Sequence, residues 1–262
     1  MSEELVLFDR QDSVAVLTLN EPERMNPIGD VVRLRLIEFL DEISANKDIR
    51  AVIITGAGGQ FSAGADVKQM SAPTGGPDPL RSKRRLKVLH EVVRAIAVSP
   101  KPVVAAVEGV AFGAGLSVVA ASDFVIAGKT ARLGAAFGRI GLAPDCGLMW
   151  SLPQRIGLAR TKDLIFTGKP LSAQTAQQYG LVDELVEEGA ALERALEKVQ
   201  EYMNVAPLSI AATKEAAAAL PGSLEAALAI ETHQQPLLSM SHDHSEARAA
   251  FLEKRPPNFS GQ

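Results

Sequence analysis

An α/β fold is predicted by three features of the 262-residue chain. Short apolar segments closed by glycine alternate with helical stretches over its first part. The clearest of these segments, residues 51–55 (Ala-Val-Ile-Ile-Thr) and 103–107 (Val-Val-Ala-Ala-Val), are apolar almost throughout, as suits strands buried on both faces of a parallel sheet. Beyond Leu158 the strand signals thin out and alanine-rich helical stretches take over. The expected organisation is an α/β core over residues 1–200 carrying a helical region over residues 201–262.

The chain opens on a hairpin: residues 5–9 and 14–19 are β-rich, and the polar Arg10, Gln11, Asp12 and Ser13 read as its turn. After Pro22 and Pro27 a helical period begins. It places Val32, Leu36, Phe39 or Leu40, and Ile43 on one face, with Asp30 as N-cap. The strand at 51–55 is closed by Gly56, Gly58 and Gly59, and a long helix is predicted over residues 79–98, ended by Ser99, Pro100 and Pro102. The strand at 103–107 leads into a glycine-rich turn, the apolar run 116–121 and a further strand at 123–127. Residues 190–202, 208–220 and 223–234 are helical, the last with Ser223 as N-cap and Glu225 in its first turn. These alanine-rich stretches are too small in side-chain bulk for a core of their own. They are expected to pack on the α/β core or on a neighbouring subunit. From Arg255 onward the chain reads as an extended tail.

Composition bounds the function. Hydrophobic residues make up 47% and charged residues 22% of the chain, which excludes disorder. A folded chain of this size buries about 73% of its unfolded surface without staples. Twenty-seven basic residues against 31 acidic ones leave a net charge of −4, so there is no basic footprint for nucleic acid. A lone cysteine, Cys146, excludes a disulfide framework and a thiolate metal cluster. The opening residues carry neither an apolar signal core nor an Arg-rich presequence, and no apolar run reaches the roughly 18 residues of a membrane span. A cytoplasmic location is expected, with no membrane partner.

Three motif-like stretches fail their own physical requirements. Gly56-Ala57-Gly58-Gly59 follows a strand, but the third glycine of a dinucleotide fingerprint would fall on Phe61. Gly115-Leu116-Ser117-Val118-Val119 lacks the second glycine of a nucleophile elbow. His242, Asp243 and His244 bring no further ligand group, so no metal is expected, and His233 reads as a surface residue.

Chemistry concentrates in two turns, each following an apolar strand. The first is Phe61-Ser62-Ala63-Gly64-Ala65-Asp66-Val67-Lys68; the second is Glu108-Gly109-Val110-Ala111-Phe112-Gly113-Ala114-Gly115, running into a helix. Small residues let a ligand approach the backbone, and a helix N-terminus presents free N–H groups. Two such turns converging on one point would supply a pair of donors for a developing oxyanion; otherwise the glycines only pack helix against strand. Taken in this order, with Lys101-Pro102, Asp123, Thr167-Gly168, Ser172-Ala173 and the Phe251-Leu252-Glu253-Lys254-Arg255 ending, they give a chain that resembles the enoyl-CoA hydratase/isomerase (crotonase) family over nearly its whole length.

The resemblance implies a spiral of ββα repeats with a C-terminal helical trimerisation region, assembled as a homotrimer or as a hexamer of two trimers. It also implies an acyl-CoA thioester substrate and no separate cofactor, coenzyme A being part of that substrate. Carried over by position, the N–H groups of Ala65 and Ala114 hold the thioester oxygen; Ala114 stands where the family usually has glycine and keeps the N–H. Backbone groups from Ala63 through Asp66, Val67 and Lys68 meet the adenine, and Arg24 lies near the phosphates. Phe251 and Lys254, from a neighbouring subunit, line the same channel. For Arg24 and Lys254 a solvated surface charge is the competing reading.

Which reaction follows enolate formation depends on the acids and bases present. The family's hydratases use two glutamates. Here the first position is Ser117 and the second is Phe137, so ordinary water addition is disfavoured. Asp145, in Gly141-Leu142-Ala143-Pro144-Asp145-Cys146-Gly147, stands where several family isomerases carry their single acid, and the run resembles the ring-opening epoxide isomerases of phenylacetyl-CoA breakdown. One carboxylate suffices to move a proton from C2 to C4, so double-bond or ring isomerisation is expected, with capping of the following helix as the competing role for Asp145. Phe137, Leu142 and Trp150 either shape the acyl pocket or pack the core. Three other readings use the same residues: a hydratase in which Asp145 alone activates water, an aryl-CoA dehalogenase or hydrolase with Asp145 as nucleophile and His90 nearby, and a non-catalytic acyl-CoA binder. The acyl group stays open, its pocket depending partly on the Pro/Gly-rich, basic stretch of residues 71–85.

Overall fold

A computed structural model describes residues 4–66, 79–219 and 222–262. Strands β1 (Val6–Gln11) and β2 (Val14–Leu19) form the predicted hairpin, antiparallel and in register from Val6 opposite Leu19 to Gln11 opposite Val14. Its turn is Asp12–Ser13 alone, with Asp12 at φ 54°, so β1 runs two residues further than the polar run suggests. β1 is the sheet edge; Arg10 and Gln11 join the ladder while their side chains stay in water.

Helix α1 (Asp30–Ala45) buries the predicted Val32, Leu36, Phe39, Leu40 and Ile43. Asp30 does not cap it. Gly29 is the N-cap, and Asp30 enters the first turn, where its carboxylate accepts from Arg33 at 2.9 Å and faces the positive end of the helix. The core then continues through β3 (Ala51–Gly56), α2 (Pro79–Ala97), β4 (Val103–Val107), β5 (Val110–Phe112), α3 (Ala114–Ala121) and β6 (Phe124–Gly128). Next come β7 (Arg132–Gly134), α4 (Leu148–Thr167), β8 (Leu171–Ser172), α5 (Ala173–Tyr179), β9 (Glu184–Val186) and α6 (Ala191–Met203). The apolar run 116–121 lies in α3, every residue of which is buried.

The main sheet has the order β1-β2-β3-β4-β6-β9, parallel from β2 onward. A second sheet, β5-β7-β8, stands beside it. Alternate residues of the parallel strands face different cores. Val52, Ile54, Ala105 and Val107 pack with Leu36 and Ile43 of α1, Val92 and Ile96 of α2 and Leu116 of α3. Ile53, Val104, Ala106 and Ile126 face the other way, under Ala191, Ala195 and Val199 of α6. Burial on both sides is why these strands read as unbroken apolar runs.

Three helices follow: α7 (Pro207–Ala219), α8 (Leu224–Ser239) and α9 (His242–Glu253). Ser223 caps α8 as predicted, its hydroxyl accepting from the Ala226 N–H. α7 is fastened to the core by Lys214, a side chain only 7% exposed whose ammonium donates to the Ile96 and Lys101 carbonyls and to the Asp123 carboxylate. His242, Asp243 and His244 open α9. The buried Asp243 carboxylate accepts from the Ser260 and Gly261 N–H groups at 2.7 and 2.8 Å and so holds the tail. Among the described residues there is no group of three metal-ligating side chains, and no helix is long and apolar enough to cross a membrane.

Candidate active site

The two glycine turns meet. Residues 61–62 run alongside β5: the Phe61 N–H donates to the Glu108 carbonyl, that of Ser62 to Val110 and that of Phe112 back to Ser62, at 2.8–2.9 Å. This brings Gly64 against Gly113 and Ala114. A Cβ on Gly64 would fall 2.6 Å from the Phe112 carbonyl oxygen and 3.4 Å from the Ala114 nitrogen, and one on Gly113 would fall 3.9 Å from the Gly64 Cα. Both glycines also have left-handed φ, 101° and 51°. The third glycine has a packing role, since a Cβ on Gly115 would fall 2.8 Å from the Ser62 Cβ. Glycine therefore lets the two turns touch at Gly64 and Gly113 and lets α3 pack on the first turn at Gly115.

The N–H of Ala65 and that of Ala114, first residue of α3, have no acceptor among the described residues. Two unpaired amides on touching turns, one of them at a helix N-terminus, can together stabilise negative charge on a carbonyl oxygen. The first turn is braced from beneath. The Ser62 hydroxyl donates to the Asn26 carbonyl at 2.7 Å and accepts from the Gly64 N–H, and the Ile28 N–H donates to the Gly64 carbonyl at 2.7 Å. Asn26, 1% exposed, donates in turn to the Ala57 and Gln60 carbonyls.

Asp145 stands three residues before α4 and is linked to the second turn through neighbouring side chains. It does not cap that helix: Gly147 is the N-cap, no side chain closes the helix start, and only the Asp145 carbonyl accepts from the Leu148 N–H. Its carboxylate instead accepts the Cys146 thiol at 2.7 Å. Burial first, then the Asp145 charge, pushes that thiol's pKa up, opposed by Arg33 and by the neighbouring Ser117 hydroxyl. Ser117 is wholly buried and donates to the Gly113 carbonyl at 3.2 Å, so contacts run from Asp145 through Cys146 and Ser117 to the second turn. The Phe137 ring, 6% exposed, lies against the same turn, 4.0 Å from where a Gly113 Cβ would stand. Leu142 is half exposed, its N–H bonded to the Phe137 carbonyl.

Comparison with known proteins fixes the kinship. A sequence model of the enoyl-CoA hydratase/isomerase family matches residues 9–262. The chain belongs to that family. It is 35% identical to the 1,2-epoxyphenylacetyl-CoA isomerase of Escherichia coli (strain K12), over 99% of both chains. It is 32% identical to the 2,3-dehydroadipyl-CoA hydratase of the same organism, over 98% of this chain and 99% of that one. Among solved structures, an enoyl-CoA hydratase from Polaromonas sp. JS666 superimposes with TM-score 0.91 at 34% identity, covering 97% of this chain and 99% of that one. An enoyl-CoA hydratase from Bacillus anthracis gives TM-score 0.91 at 30% identity, covering 99% and 100%. The crotonase fold expected from the sequence is the fold observed.

The remaining candidate positions of this crotonase divide. Ala63 sits in the first turn, its N–H on the Met25 carbonyl. Val67 and Lys68 lie outside the described residues, as does residues 71–78 of the stretch expected to shape the acyl pocket. Arg24 is not a free surface cation: it bonds the buried Asp66 at 2.7 Å and Glu21 at 2.6 Å, and these partners, Asp66 foremost, raise its pKa. Phe251 and Lys254 are exposed at the end of α9, Phe251 at 83%. His90 is exposed on α2 and shares a surface groove with Val93, Arg94, Gly147, Trp150 and Ala218, a lining that includes none of Asp145, Ala65 and Ala114. Sequence reasoning missed Asn26, Ser62 and Cys146. Asn26 and Cys146 both have left-handed φ, a conformation that an asparagine before Pro27 could have signalled and a cysteine does not.

Proposed function

We propose that this crotonase is an enoyl-CoA isomerase that shifts a double bond, or opens a related ring, with Asp145 as its proton carrier. The thioester carbonyl oxygen of the substrate lies between the Ala65 and Ala114 amides. Asp145 takes a proton from C2; the electron pair of that C–H bond delocalises onto the thioester oxygen as a dienolate, and the protonated Asp145 returns the proton at C4. Overall the 3-enoyl thioester becomes the conjugated 2-enoyl thioester with no atoms gained or lost.

The observation that carries this reading is the pairing of one carboxylate with Ser117 and Phe137. A crotonase hydratase would need two glutamates where this chain has a hydroxyl and an apolar ring, and Asp145 is joined through Cys146 and Ser117 to the amide turn. Similarity to an isomerase named for 1,2-epoxyphenylacetyl-CoA supports it; similarity to hydratases keeps water addition as the alternative to be measured. Exposed Leu237, Met240, Phe251 and Leu252 along the C-terminal helices support assembly as a trimer or a dimer of trimers, with Phe251 and Lys254 serving a neighbour's site. Arg24, Ala63 and Asp66 then border the coenzyme A channel.

The test compares a 3-enoyl-CoA with crotonyl-CoA as substrates, using the wild type and Asp145→Ala. Isomerisation of the first should exceed hydration of the second. Asp145→Ala should lose at least about 100-fold in kcat, within the usual range for a general acid–base group, while keeping its oligomeric state. Unaltered isomerisation in that variant would reject the assignment.

A further inference from the structure

We propose that Cys146 is a positioning residue for the Asp145 carboxylate, holding one oxygen so that the other is left for proton traffic. This rests on Asp145 being the proton carrier. Neighbouring side chains on an extended backbone project to opposite sides, yet here the thiol of residue 146 bonds the carboxylate of residue 145, Sγ to Oδ1 at 2.7 Å. Left-handed backbone at Cys146, φ 55°, accompanies this contact. Two glycines, Gly141 and Gly147, take the other left-handed positions of the same segment, and both are residue types suited to that conformation. Position 146 carries a cysteine in spite of its Cβ.

The surroundings fit a fixed donor. Cys146 is 1% exposed, so no water competes for its S–H. Burial and the adjacent negative charge keep the thiol protonated through the neutral range, so it donates to the carboxylate and does not exchange roles with it. Its other polar neighbour is the Ser117 hydroxyl, itself bonded to the carbonyl of Gly113 beside the Ala114 amide. The thiol thus links the acid, through Ser117, to the second turn. A sulfhydryl is a weak donor to a neutral acceptor and a stronger one to an ionised carboxylate. With Oδ1 so occupied, Oδ2 alone would meet both C2 and C4.

Two measurements test this, one of them independent of turnover. Cys146 is the protein's only cysteine, so its S–H stretch is a single infrared band. The band should lie below that of a solvated thiol and move to higher frequency in Asp145→Ala; a band at the solvated position, or one that ignores Asp145→Ala, overturns the proposal whatever the enzyme catalyses. In the isomerase assay Cys146→Ala should lower kcat about tenfold with KM within about twofold, and Cys146→Ser, which restores a donor, should recover most of the loss. Equal kcat in wild type and Cys146→Ala, or equal losses in the Ala and Ser variants, would overturn the positioning role. Full activity in Asp145→Ala would instead discard the proton-carrier reading on which it rests.

Discussion

Replacing Ala114 by proline should separate catalysis from stability. Ala114 is the first residue of α3, and its N–H has no acceptor among the described residues. Proline is favoured at this helical position because the donor it removes is unpaired there in any case. The preceding residue is Gly113, whose φ 51° and ψ −116° lie outside the α region that a following proline disfavours, and it has no Cβ to clash with the ring. Folding should therefore change by less than about 1 kcal/mol, or less than about 4 °C in Tm for a chain of this size. Catalysis should not survive. Losing one of two oxyanion donors costs about 10²–10³ in kcat, or roughly 2.7–4 kcal/mol, and the proline ring also fills the place where the N–H pointed. The assay follows conjugation of a 3-enoyl-CoA by absorbance beside a thermal melt of the same sample. Ala114→Gly is the control: it keeps the N–H, should hold kcat within about threefold, and costs at most about 1 kcal/mol of helix stability. If the proline variant turns over within about threefold of wild type, the amide is not an oxyanion donor. If it melts far below wild type, the amide had a structural partner and the reasoning fails at its first step.

Gly64→Ala should fail by another route: left-handed φ and a Cβ 2.6 Å from the Phe112 carbonyl oxygen predict about 2–5 kcal/mol of destabilisation, read from the denaturant midpoint. Lys214→Met takes the donor from the Ile96 and Lys101 carbonyls and the cation from Asp123, which is exposed and keeps the Val103 N–H, and should cost about 1–3 kcal/mol. Burial, partly offset by Asp123, depresses the Lys214 pKa below 10.5, so the folded chain releases this proton before the unfolded chain does. Its contribution to stability should rise with pH between that depressed value and 10.5, and denaturation curves of wild type minus Lys214→Met should show this slope. Ser117→Glu combined with Phe137→Glu should lower Tm, because both positions are buried, and should raise crotonyl-CoA hydration relative to isomerisation. A folded double variant with no gain in hydration would count against the role given to the missing carboxylates.

What the sequence made legible is what local pattern determines. The strands at 51–55 and 103–107 could be read because both their faces are buried, and the cap at Ser223 because a serine hydroxyl reaches the N–H three residues on. Asp30 carried an equally good local signal and took a different place, since Gly29 already provides the extended backbone that an N-cap needs and Arg33 draws the carboxylate into the first turn. The two turns were recognisable as a pair, but their contact depends on Ser62 pairing with β5 across about fifty residues of chain. Arg24 was readable as a phosphate contact or as a solvated cation; its partner Asp66, forty-two residues away, could not be seen from the sequence. Lys214 and Asp123, ninety-one residues apart, were hidden for the same reason. Cys146 is the opposite case, a contact with its immediate neighbour, masked because cysteine is an unusual choice for a left-handed turn.

The two glycine turns and Asp145 are held by separate parts of the chain, and that division bears on the reaction proposed for the site. The first turn rests on Asn26 and Ile28, the second on β5 and the start of α3, and Asp145 on the approach to α4. Binding a thioester oxygen requires only the first two, which is why a shared fold can serve relatives named as hydratases and as isomerases. Adding water demands more: a water must be held, deprotonated at oxygen and partly delivered as a proton to carbon, work that two carboxylates can share. Here the Phe137 ring lies against the second turn and the Ser117 hydroxyl is committed to Gly113 and neighbours Cys146. An apolar wall there offers no acceptor to orient a water and lowers the local dielectric, which would strengthen the amide pair toward the dienolate proposed above. On the proposed reading a lone carboxylate returns to C4 the proton it took from C2, and solvent deuterium left out of the 2-enoyl product would distinguish that internal transfer from water addition.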